Sequence, residues 1–593
     1  MAPYIALTWR VSDHRAAAAA ANLIAELTRD EAWRVNLDLA GRLVLERPER
    51  PVLVREVGVG RGMLIGDLFD VSGAAAPAAV LVKSAASASS DALARQILGQ
   101  YWGRYVAVLT SAAGRPERVL RDPSGALDCF CWTIDGLLVV TSDPPDAALR
   151  PLAQRVSIAW DIVAQHLSDP SLISARSALN GIHTVTPGAL RSFLGGEGEV
   201  QLWRPGAVAQ QRSGGEPSAE AGLVQTLDRV VAALAGQRPV LAEVSGGLDS
   251  SMVASALKVI AADVRGWVTF VGADPGADER PYARALGRWL GFELTEIFKT
   301  VEPVTPDDIG ATQVGAEISL NALDRQYDDH ILNLAEALDA QVVFTGFGGD
   351  AVYFQMADPE VIEDLVARRG RVALLTPALG EIARWTRQSA YRLAWRALRS
   401  RWQAQPYPSG GLNWRRSGPP AQSHPWCADI GDLPPAKRLQ ITSLTHMLSG
   451  YGRSRRGARL DIVHPHLTQP VLEHALRTPV DMLVVGGRDR GLARRAFRGR
   501  LPGVILDRRS KGDLGVLHAR NFVAGIPLMR PFLLEGLLVQ HGLIDPLVLE
   551  AALDEASLAQ HAGHLEILQT VATEAWARKW SVRLDGLKRL SAA

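Results

Sequence analysis

A chain of 593 residues with 47% hydrophobic content is too long for one core and divides into two or more domains, each able to bury its own. Its 64 Lys and Arg nearly cancel its 63 Asp and Glu, so bulk charge gives no case for nucleic acid or an anionic membrane as the main partner. Three cysteines (Cys129, Cys131, Cys427) cannot form a disulfide framework, and Cys-x-Cys lacks the paired spacing of a zinc site, which points to a reducing cytosol.

The opening MAPYIALTWR has no basic stretch ahead of a long apolar run, so no signal peptide is expected. The most apolar windows, such as Pro239 to Val244 and Gln341 to Phe344, fall far below the roughly 18 residues of a membrane helix and read as buried strands. Residues 1–209 alternate short β-branched or aromatic runs with Gly, Pro and Asp turns, as in Arg118 to Leu120, Gly136 to Thr141 and Leu190 to Leu194, which predicts a sheet-rich domain. A polar segment over 210–221, rich in Gly, Ser and Gln, is the expected linker to a second domain, 222–593. From Pro239 onward strand-like runs (PVLAEV, GWVTFV, QVVF) alternate with helical ones (SSMVASALKVIAA, RPYARALGRWLG), predicting an α/β domain with a parallel sheet. Beyond about residue 357 the pattern is mostly helical, interrupted by a Pro/Gly/Ser-rich stretch from Pro406 to Pro425.

The most informative string is Val244-Ser245-Gly246-Gly247-Leu248-Asp249-Ser250-Ser251, where a buried strand gives way to an amphipathic helix. Two glycines let the backbone approach an anion without Cβ obstruction, and the serine hydroxyls and helix N-terminus supply donors for a pyrophosphate. Asp249 would repel a bare phosphate, so it implies a nucleotide accompanied by Mg²⁺. The string lacks the lysine that follows the glycines of a Walker loop.

SGGLDSS is the signature of the PP-loop, used by enzymes that cleave ATP between the α- and β-phosphates, and with it the chain resembles the asparagine-synthetase superfamily. Thr345-Gly346-Phe347-Gly348-Gly349-Asp350 resembles that family's second motif, S/T-G-x-G-S/G-D. The resemblance implies that Asp249 and Asp350 are the Mg²⁺ carboxylates, that Val244, Ser245, Gly246, Gly247 and Ser250 cradle phosphate, and that Thr345, Gly346 and Val271 line the adenosine. Arg508-Arg509-Ser510-Lys511 resembles the late R-x-x-K segment, which makes Lys511 the expected catalytic cation beside pyrophosphate and the reacting centre. Arg494 and Arg495 are further phosphate candidates by the same likeness, and Asp278-Glu279 match an acidic position ahead of the second helix.

The N-terminal half resembles a class II glutaminase domain of the Ntn-type αββα class: Arg121-Asp122-Pro123-Ser124-Gly125 matches its R-D-x-x-G turn, and Gly181 to Gly188 its later Pro-Gly stretch. The nucleophilic cysteine that follows Met1 in amidotransferases is Ala2 here, so glutamine hydrolysis is not expected. Where asparagine synthetases carry a glutamate and β-lactam synthetases a tyrosine, the second motif has Phe347, which cannot move a proton. The remaining branch with a degenerate glutaminase half is the lasso-peptide macrocyclase, which joins a precursor's N-terminal amine to an Asp or Glu side chain. That likeness implies a precursor (core) peptide substrate, with a leader-binding protein and a leader peptidase as partners. The aromatic residues Trp385, Tyr391, Trp395 and Trp402, at near-helical spacing, are expected in core packing, with the wall of a peptide cavity as the other reading. An ammonia- or amine-dependent ligase making a small amide, and a noncatalytic peptide-binding scaffold, are the alternatives.

Overall fold

The computed structural model describes residues 3–29, 32–58, 60–77, 79–80, 88–193, 198–211, 214–272, 278–303, 305, 315–319, 321, 324–399, 414–415, 424–509, 515–554 and 564–592. In the N-terminal half, two sheets of six and seven strands lie face to face; among the described residues one pairing is parallel, at the edge of the seven-stranded sheet. The period of a strand decides which core each side chain joins. Along Tyr4–Thr8, Tyr4 and Ala6 meet Met63, Ile65, Val106 and Val108 of the opposite sheet, while Ile5 and Leu7 face outward onto the helix His14–Thr28. The far face of the seven-stranded sheet is covered by the helix Ser90–Gln100 through Leu93, Ala94 and Ile97. The result is helix, sheet, sheet, helix.

The R-D-x-x-G stretch is a structural corner in this sandwich. Arg121 donates to the carbonyls of Gly125, Leu127 and Val185 at 2.7–3.1 Å, and Asp122 accepts from the Tyr105 and Ser124 amides. Gly188 N donates to Arg121 O at 3.1 Å, so the two stretches that carry the glutaminase resemblance are neighbours.

The second half is built on five parallel strands: β1 (Val240–Glu243), β2 (Val264–Val271), β3 (Thr295–Phe298), β4 (Val342–Phe344) and β5 (Asp461–Val463). Their order is β3-β2-β1-β4-β5. The helices α1 (Glu216–Ala235), α2 (Leu248–Val259) and α3 (Arg280–Leu290) accompany it. Strands β1, β2 and β4 fall on the runs that sequence periodicity marks. By contrast, β5 emerges from the region read as helical, because three residues on a sheet edge are too short to show a period.

The halves are tied at β5. Arg104, on the central strand Tyr101–Thr110 of the seven-stranded sheet, grips Asp461 through both terminal nitrogens at 2.8 Å and also pairs with Asp67, and Arg238 reaches Asp461 at 2.6 Å. Three guanidinium–carboxylate contacts in a shielded site make a joint with fixed geometry. Trp203 and Trp426 pack with ring centroids 5.0 Å apart, and the Trp426 indole donates to Pro187 O at 3.0 Å.

Helices at the C-terminal end complete a core of the N-terminal half. Phe522, Ile526, Met529 and Leu533, and Ile567, Val571, Trp576 and Trp580, join Ile5, Leu7 and Leu23 around the outer face of the six-stranded sheet. Contrary to the sequence reading of apolar windows, one segment, Arg520–Gln540, is long and apolar enough by composition to cross a membrane. Its buried residues recur at helical spacing against this core, and Pro527 and Pro531 lie inside its helix, so one face of the segment packs as a core helix does. The expected core packing of the helix Ala390–Arg399 holds only in part. Leu393 is buried, whereas Tyr391 and Trp395 are 80% and 50% exposed; Trp385 is partly buried, and Trp402 lies outside the described residues. Replacing the fully buried Trp576 by Ala is expected to cost about 3–5 kcal/mol in denaturant unfolding, and a loss under about 1 kcal/mol would contradict a shared core.

Candidate active site

In an open α/β sheet, ligands bind beyond the carboxyl ends of the strands where the strand order reverses. Here the reversal falls between β1 and β4, and the loops leaving those two strands are SGGLDSS and TGFGGD. Gly246 takes a left-handed φ of +76°, and a Cβ there would come within 2.7 Å of the Ala283 amide. The turn therefore requires glycine and seats the loop on the start of α3. Ser245 and Ser250 hydroxyls lie 3.1 Å apart, and the Ser251 hydroxyl donates to Gly247 O at 2.7 Å at the first turn of α2.

The second loop lies directly on the first. A Cβ on Gly346 would stand 2.3 Å from the Ser250 amide, and one on Gly349 would stand 2.5 Å from the Asp249 carboxyl carbon. This close approach brings Asp249 and Asp350 onto one cation: Arg490 Nη1 lies 2.6 Å from Asp249 Oδ2 and 2.5 Å from Asp350 Oδ1. Its second terminal nitrogen reaches Asp489 at 2.9 Å. Burial opposes the charge on Arg490, yet the three carboxylates together hold its pKa above the ordinary value. Two carboxylates converging on one positive charge are a donor set that fits Mg²⁺, which takes one or two carboxylates together with phosphate oxygens. Among the described residues there is no group of three or more His, Cys, Asp or Glu side chains poised for a metal. The pair therefore suits a cation that arrives with nucleotide.

Two histidines after β5 brace the loops from below. His464 Nε2 meets Gly450 O at 3.2 Å and its Nδ1 meets Thr345 Oγ1 at 2.7 Å. Because a carbonyl only accepts, Nε2 carries the proton, Nδ1 accepts from the threonine hydroxyl, and Thr345 Oγ1 in turn accepts the Phe347 amide. His466 is fixed the same way, Nε2–H to Asp249 O at 3.1 Å and Nδ1 accepting from Tyr353 at 2.9 Å. Burial pushes both rings down to about 4, so both are neutral at pH 7.

Arg508 links the late basic segment to the phosphate loop. It donates to Gly246 O at 3.2 Å, pairs with Glu279 at 2.7 Å and stacks 3.9 Å over the Tyr282 ring. Lys511 lies outside the described residues, two positions beyond the last one in that segment. Arg494 is buried against the Ile505 and Leu506 carbonyls and Asp489, and Arg495 pairs with Glu216 and Glu220 of α1; both are engaged in packing the fold. Val244 and Val271 are buried at the ends of β1 and β2, and the Val271 carbonyl accepts the Lys299 amide. Asp278 pairs with Arg280, and Glu279 is held by Arg508.

Sequence reasoning missed Arg490, His464 and His466. Arg490 sits among many arginines, and its left-handed φ of +52° has no residue signature. The His-Pro-His string was visible, but its meaning depends on β5, which was not.

Three measurements check this geometry. Gly346→Ala is expected to push the two loops apart and weaken ATP binding on the order of 100-fold, and unchanged affinity would contradict the contact. Arg490→Met leaves Asp249 and Asp350 facing each other. It should lower stability on the order of 2 kcal/mol, discounted from a fully buried pair because Asp350 is a third exposed, with partial recovery on adding MgATP. For the histidines, folded pKa values near 4 lie below the unfolded value of roughly 6.5, so the unfolded chain binds more protons in between. Their stabilisation is full above about pH 6.5 and falls as pH drops toward 4; the melting temperature should fall across that window, and less in His464→Gln.

No curated protein matches this chain. Residues 222–578, more than half of the chain, match the Asparagine synthase family, and this stretch contains the parallel sheet, both glycine loops and the Asp249–Arg490–Asp350 bridge. The chain belongs to the asparagine synthase family.

Proposed function

We propose that this ATP-dependent amide-forming ligase is a lasso-peptide macrocyclase, adenylating an Asp or Glu side chain of a precursor peptide and closing an isopeptide bond with the peptide's N-terminal amine. The observation that carries the reading is the environment of Phe347. It occupies the variable position of the second loop, 39% exposed, with its ring against Gly450 and 5.2 Å from His464. An apolar ring there favours a large substrate that brings its own positioned amine over a small one needing a base at that position. The cysteines give no support to an amidotransferase: Cys129 and Cys131 are buried in the sandwich, and burial pushes Cys129 up to about 12 and Cys427 to about 11.

In the proposed cycle the phosphates of ATP rest on the SGGLDSS loop, with Ser245, Ser250 and the α2 amides as donors. Asp249 and Asp350 would hold Mg²⁺, which neutralises charge on the phosphates when bound. A substrate carboxylate oxygen bonds to the α-phosphorus as the bond to pyrophosphate breaks. The peptide amine then attacks the acyl-adenylate carbonyl, and AMP leaves with one former carboxylate oxygen. Lys511 is assigned to the departing pyrophosphate, and Arg508 steadies the loop from the same segment. A leader-binding protein and a leader peptidase would prepare the peptide.

The test is mass spectrometry of candidate leaderless peptides with ATP and Mg²⁺. Loss of one water is expected, reduced at least ~100-fold in Asp350→Ala and Lys511→Ala. Pyrophosphate release with small amines or amino acids only would assign a small-amide ligase, and no ATP turnover with any substrate would assign a peptide-binding scaffold.

A further inference from the structure

A cavity of about 100 Å³ lies between the two halves of the chain. One wall is the helix Trp160–Ser168 and the R-D-x-x-G turn of the N-terminal half; the other is formed by residues 316–319, 448–449 and 451–452 of the second half. Its polar lining includes the side chains of Gln165, Asp128 and Glu317 together with Arg121 and Arg176. Gln165 is 8% exposed, and its Oε1 has no hydrogen-bond partner among the described residues. Glu317 stands against Asp128, hydrogen-bonded carboxyl to carboxyl. Arg121 and Arg453 approach Asp128 only loosely, at 3.5 and 3.6 Å, and Arg453 is shared with Asp143. A buried amide oxygen lacking a donor, in the same cavity as two carboxyls that face each other, is a set of acceptors that a cationic donor would satisfy.

From this we propose that the inter-domain cavity binds the primary ammonium group of the ligase's amine substrate, with Gln165 Oε1 and the Asp128–Glu317 pair as its acceptors. The inference rests on the proposed amine-acylating reaction. It adds that the N-terminal half presents the amine. Burial, and then the neighbouring Asp128, push Glu317 up to about 8, so a bound cation would favour its ionised form. The cavity also shares a wall with the reaction centre. Tyr451 and Gly452 line it, while Gly450 between Ser449 and Tyr451 packs on the Phe347 ring and accepts His464 Nε2–H. An amine released from the pocket is thus one layer of chain away from the second glycine loop.

The ammonium could come from a peptide α-amine or from a free small amine, and the experiment separates them. Full-length protein without ATP is titrated calorimetrically with glycyl-glycyl-leucinamide, with its N-acetyl form and with methylammonium. The tripeptide should bind, acetylation should weaken it at least tenfold, and Gln165→Leu and Glu317→Gln should each weaken it about tenfold while ATP affinity, the check on folding, is unchanged. Methylammonium binding as tightly as the tripeptide would support the ammonium site and assign it to a free amine. Equal binding of the acetylated tripeptide, no binding of either amine, or no effect of the two variants would overturn the inference. ATP-dependent water loss from a peptide, continuing without tripeptide binding, would sink this inference alone; tripeptide binding without any adenylation would sink only the functional reading.

Discussion

Two carboxylates on two different loops are held against a single guanidinium, and most of the active half of the molecule is arranged to keep them there. Asp249 begins α2 and Asp350 follows β4, about a hundred residues apart in the chain, yet both lie within hydrogen-bond reach of Arg490 Nη1. Like charges this close require a cation or the loss of a charge. The close approach exists because Gly346 and Gly349 have no side chain where one would strike Ser250 and Asp249. The histidines then lock each loop from the opposite side, His466 through the Asp249 carbonyl and His464 through Thr345. The phosphate loop, the second glycine loop and the β5 histidines form one mechanical unit, centred where the strand order turns.

That unit was legible in the sequence to the extent that it depends on local rules. A glycine pair between a buried strand and a helix, and a second glycine-rich turn ending in Asp350, declare themselves by composition and order. What makes them work together was not legible. Arg490 reaches the carboxylates from a distant turn, and the His-Pro-His string matters only because Asp461–Val463 adds a fifth strand beside β4. Contacts between residues far apart in sequence leave no periodic trace, so Arg494 and Arg495 stood out as phosphate candidates and Arg490 did not, until the fold showed the first two packing against carbonyls and α1. The helix Ala390–Arg399 fails for the opposite reason. Its spacing is amphipathic, but its aromatic face, Tyr391 and Trp395, is exposed.

The N-terminal half is joined to the synthase half by charge and by shared core. Arg104 crosses from the centre of the seven-stranded sheet to Asp461, the first residue of β5, so the sandwich bears on the strand that carries both histidines. The C-terminal helices then pack on the outer face of the six-stranded sheet. A domain whose R-D-x-x-G corner persists as a carbonyl-bound scaffold, with its cysteines buried, has kept its architecture and its contacts with the synthase half.

The claim at the centre of this account is that a peptide carboxylate attacks the α-phosphorus of ATP at the Asp249–Asp350 site. Supplying a precursor peptide whose side-chain carboxylate carries ¹⁸O, and reading the nucleotide product by mass spectrometry, tests that step directly. The account predicts AMP bearing one ¹⁸O atom, because the oxygen that bonds to phosphorus leaves with it. Unlabelled AMP, or ADP in its place, would contradict it.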